Sequence, residues 1–73
     1  MSRAAAIGER ARTIGYALAG VEVLPAESAE AARAAWEALD PDVGLVLLTP
    51  VALAALEDAL AAQPWRAWVL LPE

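Results

Sequence analysis

The sequence predicts an α/β fold, in which four short parallel strands in the order 2-1-3-4 are joined by alternating helices. Three observations predict it. Short apolar strand candidates alternate with longer helical segments, and the crossovers between them run about a dozen residues or more, enough to join parallel neighbours. The third strand candidate, Gly44 to Leu48, is apolar at consecutive positions after its glycine, as a strand covered on both faces requires.

Each element has its own local warrant. Ala4 to Ile7 forms the first strand, ended by Gly8. The spacing then predicts a helix from about Arg10 to Leu18, closed by Gly20 in a left-handed conformation. Its stripe of Ala11, Ile14, Gly15, Leu18 and Ala19 is expected to face the sheet as a small-residue seam, leaving Glu9, Arg12 and Tyr16 on another face. Val21 to Leu24 alternates like a half-exposed strand and Pro25 stops it. Ser28 caps a second helix through about Leu39, with Ala32, Ala35, Trp36 and Leu39 facing inward and Glu30, Arg33 and Glu37 facing water.

Asp40-Pro41-Asp42 is a turn before the third strand. Thr49-Pro50 then starts a third helix, the threonine as cap and the proline pre-organised for the first turn, with Leu53, Leu56 and Leu60 as its core stripe until Pro64. Arg66 to Leu71 is the fourth strand. The apolar third strand and small first strand belong in the centre and the charged second strand at one edge, which leaves the fourth as an unusually apolar border. The whole, residues 1–73, reads as one Rossmann-like or receiver-like mini-domain.

Composition excludes several function classes. The chain has no Cys and no His, so ordinary zinc, haem and iron–sulfur sites are not expected, and acid–base catalysis near neutral pH would need a strongly shifted carboxylate. No cofactor and no enzymatic activity are expected. The net charge of −5 argues against nucleic acid and anionic lipid as partners. The charge is uneven: Arg3, Arg10 and Arg12 against Glu9 make residues 1–20 +2, while the remainder carries −7. The apolar run Val43 to Leu56 is broken by Thr49-Pro50 and is shorter than the ~20 residues that span a bilayer, so no membrane insertion is expected and the cytoplasm is the default compartment. A chain of this size buries only about 60–65% of its unfolded surface, so a partner that covers more of it would add stability.

Ile7-Gly8-Glu9 followed by Gly15-Tyr16-Ala17-Leu18-Ala19-Gly20-Val21 resembles the N-terminal IGDxDTxxGFxLAGV segment of the F subunit of the V-type and A-type rotary ATPases. Ala29 to Leu39 is similar to that family's Ala/Glu-rich second helix, Gly44 to Thr49 to its GIILIT strand and loop, and Trp68-Val69-Leu70-Leu71-Pro72 to its last strand. The resemblance implies a non-catalytic central-stalk (rotor) component of a V/A-type proton- or sodium-translocating rotary ATPase. Such a component binds the coiled-coil D subunit of the stalk, and through it the ATPase complex, in the soluble sector on the cytoplasmic side. In the first motif the first acid is Glu9, while the second falls on Ala11 and the following Thr on Arg12. The family's flexible C-terminal helical segment, linked to regulation, has no counterpart up to Glu73, so the resemblance implies a short form without it.

In open parallel sheets partners and ligands enter beyond the carboxyl ends of the strands where the order reverses, here between the first and third strands. That selects Gly8, Glu9, Arg10, Arg12 and Thr49, with Tyr16 on the same exposed helical face as Arg12. Trp65 in a turn and Trp68 on the apolar border are the aromatic candidates for a protein interface. A helix start flanked by Arg10 and Arg12 leaves a small nucleotide- or anion-binding regulatory domain as the rival reading, although GxxxxGK[ST] and GxGxxG are both missing. A general protein-interaction module fits the same composition. Receiver-type phosphotransfer would need clustered acids after the first strand and an Asp ending the third, where Leu48-Thr49 stands.

Overall fold

The computed structural model describes residues 3–72. Strands β1 (Arg3–Gly8), β2 (Glu22–Pro25), β3 (Val43–Leu48) and β4 (Ala67–Leu70) form one parallel sheet in the order β2-β1-β3-β4, the expected architecture. Helices α1 (Arg10–Thr13), α2 (Ala29–Glu37) and α3 (Pro50–Ala62) lie in the crossovers. Because the chain moves one way from β1 to β2 and the other way afterwards, right-handed crossovers put α1 on one face of the sheet and α2 with α3 on the opposite face.

Register fixes which side chains share a face. Glu22, Ala5, Val46 and Trp68 form one cross-strand row, and Leu24, Ile7, Leu48 and Leu70 form the row two residues on. These rows point toward α2 and α3, where Ala5, Ile7, Val46 and Leu48 join Ala32, Trp36, Ala52 and Leu56 in the buried core. The opposite face presents Ala6, Leu47 and Val69. Gly44 is the extra residue of a bulge, since Arg3 pairs with Val43 and Ala4 with Leu45.

The helix caps are those the sequence predicts. The Ser28 hydroxyl accepts from the Ala31 N–H at 3.1 Å, and Thr49 accepts from the Ala52 N–H at 3.4 Å with Pro50 in the first turn. No helix among the described residues is long and apolar enough to cross a membrane.

The first crossover differs from its expected form. The α-helix ends at Thr13 and a 3₁₀ segment, Ile14–Ala19, continues to Gly20, whose φ of 82° is the expected left-handed stop. Ala11, Gly15 and Ala19 are exposed, Leu18 is 95% exposed, and no atom lies near a Cβ built on Gly15, so there is no small-residue seam against the sheet. Thr13 is the buried residue of α1 instead. Its N–H and its hydroxyl both donate to the carbonyl of Glu9 at 3.1 Å, a back-bonding arrangement that weakens a helix, and Gly15 removes further α-helical preference just beyond it.

Candidate functional site

The carboxyl ends of β1 and β3 bring the adjacent Gly8 and Glu9 together with Thr49, which lies 40 residues beyond Glu9 in the sequence. A Cβ on Gly8 would stand 2.8 Å from the Cβ of Thr49, so only glycine fits where the two strands leave the sheet. The Thr49 hydroxyl donates to Glu9 Oε1 at 2.6 Å while its oxygen caps α3. Glu9 Oε2 stands 3.7 Å from Arg12 Nε. The Thr49 hydrogen bond, the backbone N–H of Glu9 and the Arg12 charge hold the Glu9 carboxyl below its usual range, the first being the largest effect, against an opposing effect of burial.

This arrangement places carboxylates in the crevice. At the start of α1 the Arg10 N–H donates to the Glu27 carboxylate at 2.8 Å, and at the start of α3 the Glu9 carboxylate is bound to the cap residue. Two of the chain's own acids therefore stand where an anionic ligand would meet the helix starts, which works against phosphate. Of the predicted residues here, Gly8 and Thr49 are buried, Arg10 and Arg12 are exposed, and Tyr16 and Glu9 are half-buried.

At the opposite end of the sheet lies a residue that sequence reasoning did not single out. Arg66 is 5% exposed. Its Nε donates to the Val43 carbonyl at 2.8 Å, one terminal nitrogen to the Gln63 side-chain oxygen at 3.0 Å and the other to the Asp40 carbonyl at 3.2 Å. Its guanidinium carbon lies 5.2 Å from the Trp36 ring centre and 4.3 Å from that of Trp65. Among the described residues no carboxylate is within ion-pair distance of it. The only sequence signal was an arginine next to a tryptophan, because its other partners come from the preceding helix end, turn and strand.

The two tryptophan candidates separate in role. Trp65 is 60% exposed, with one face stacked on Arg66. Trp68, 44% exposed on the α3 side of the sheet, lines with Leu70 an open groove of about 580 Å³ between that helix and the sheet edge.

Residues 4–66 match the model of the family described as ATP synthase (F/14-kDa) subunit. The fold is similar to the crystal structure of the F subunit of the V-type ATP synthase from Archaeoglobus fulgidus, with a TM-score of 0.76, 24% identity, and coverage of 97% of this chain and 98% of that one. No curated protein matches the chain.

Proposed function

Because the chain belongs to the ATP synthase (F/14-kDa) subunit family, we propose that it is a non-catalytic component of the central stalk of a V/A-type rotary ATPase, held there by the coiled-coil D subunit. It contributes a docking surface within the rotor and takes part in no chemical step. Its place is peripheral, in the sector of the complex outside the membrane on the cytoplasmic side.

The observation that carries this reading is the border of the sheet. Trp68, Val69 and Leu70 are each nearly half exposed at the β4 edge, although an apolar edge strand left in water invites aggregation. A small chain with such a border gains stability when a neighbour covers it. The crevice supports the same reading, since the Glu9 and Glu27 carboxylates there repel the phosphates of a nucleotide. Trp65 stands beside the border, pre-oriented by Arg66, and Arg10, Arg12 and Tyr16 offer a second, polar contact on the α1 face.

Co-expression with the coiled-coil D subunit followed by size-exclusion chromatography tests the proposal. The expected result is a stable one-to-one complex, and separate elution of the two chains overturns the stalk assignment. Within the complex, Trp65→Ala is expected to weaken binding by more than about 1 kcal/mol. Unchanged affinity in a binding titration removes Trp65 from the interface.

A further inference from the structure

The helix layer on the core face of the sheet stops one helix short. There α2 packs beside α3, and α3 covers β1 and β3, but among the described residues nothing lies on the far side of α3 over β4. The groove so left is formed by Leu53, Glu57 and Leu60 of α3 and by Trp68 and Leu70 of β4. We propose that this groove seats one α-helix of a partner chain, apolar along its buried stripe and bearing a Lys or Arg where it passes Glu57. The assignment rests on the stalk reading, whose coiled-coil partner supplies such helices, and names the surface and the chemistry of that contact.

Three observations favour a helix of this character. First, α3 is apolar on more than its core side. Its 13 residues include only two charged ones, Glu57 and Asp58, whereas the 9 residues of α2 include Glu30, Arg33 and Glu37. Ala52 and Leu56 are buried inward, yet Leu53 and Leu60 are only partly covered and Val51 is 49% exposed. A helix with so little polar surface is characteristic of one enclosed on both sides. Second, α2 already packs beside α3 on this face of the sheet, so a helix on the other side of α3 would extend the same layer.

Third, the groove is acidic. Among the described residues Glu57 is its only charged lining residue, and the chain's arginines lie elsewhere: Arg66 is buried, Arg3 is paired at the strand starts, and Arg10, Arg12 and Arg33 sit on α1 and α2. A second copy of the chain meeting this face about a two-fold axis would bring one Glu57 toward the other, between molecules of net charge −5. A basic rim on the occupant instead gains from the same charge.

The test uses the D subunit and, independently of it, two helical peptides that share one leucine stripe and differ only in carrying Lys or Glu beside it. Titrated into the intact protein, the Lys peptide is expected to bind about tenfold or more tightly than the Glu peptide, with tryptophan emission shifting to the blue as Trp68 leaves water. Glu57→Lys, a surface change that leaves the core intact, is expected to reverse the order of the two peptides. Trp68→Phe removes the emission shift. In the complex with the D subunit, Glu57→Lys and Leu53→Glu are expected to weaken binding about tenfold or more.

If the D subunit binds these variants as it binds the native chain, the groove assignment is overturned and the stalk reading stands. If it fails to bind the native chain, the stalk reading falls while the peptides still decide the groove. Equal binding of both peptides, or binding of neither, overturns the groove assignment. So does a homodimer that Trp68→Glu dissolves, because the occupant is then a second copy.

Discussion

The two ends of the sheet are stitched by opposite means. At the carboxyl end, Gly8 lets Thr49 approach closely, and a half-buried carboxylate takes the threonine hydroxyl at 2.6 Å. At the amino end a buried cation, Arg66, has no carboxylate among the described residues and is satisfied by two carbonyls, a side-chain amide and the faces of two tryptophans. Around it, half-exposed Arg3 reaches Glu22 at 3.0 Å, Asp42 at 3.3 Å and Asp40 at 3.5 Å, contacts screened by water and worth little singly. The difference teaches where function can lie. Close packing and an internal acid occupy the end where α/β sheets usually receive ligands, and the arginine closes the other end, so the part of the sheet itself left uncovered is the border along β4.

The amino end offers the largest test of this contrast. Arg66→Ala leaves two carbonyls and a tryptophan face without their partner and opens a cavity, and is expected to destabilise the protein by about 3 kcal/mol in a denaturant melt. Arg66→Lys keeps the charge but loses the planar fork, with an expected loss of about 2 kcal/mol. If lysine restores native stability, charge alone holds this end and the contrast with the carboxyl end breaks.

At the carboxyl end the restraint is steric. Gly8→Ala drives a methyl group into Thr49 and is expected to cost about 2 kcal/mol, within the range for overpacking a dense site. The loss should shrink when Thr49→Ala is also present, because two of the three crowding atoms are then gone. A strictly additive double mutant would show that the close approach of β1 and β3 does not limit this site.

What the sequence made legible was the part governed by local patterning. The strand order followed from the polarity of four short segments, and the caps from Ser28 and from Thr49-Pro50. The first crossover departs from its pattern: the apolar spacing predicts an α-helix to Leu18, whereas the segment tightens to 3₁₀ after Thr13 and turns Leu18 outward. At the candidate site, the neighbourhood of Gly8 and Thr49 followed from topology, but their mutual contact through Glu9 did not, since no spacing rule links residues forty apart. Arg66 was invisible for the same reason: its partners converge only after the sheet has formed.

The smallest expected effect isolates the charge at the carboxyl end. A carboxyl group whose folded pKa lies below its unfolded value stabilises the fold above the unfolded value, and that contribution disappears as pH falls through the folded one. Glu9 is such a group, with the Thr49 hydroxyl as the first cause. Glu9→Gln keeps an acceptor for Thr49 and is expected to cost less than about 1 kcal/mol at neutral pH. It should also remove part of the stability that the native protein loses on acidification. Melts of both proteins across the acidic range decide the matter: parallel curves would mean that Glu9 holds this end by hydrogen-bond geometry alone, whereas curves that converge toward low pH assign the difference to its ionised form.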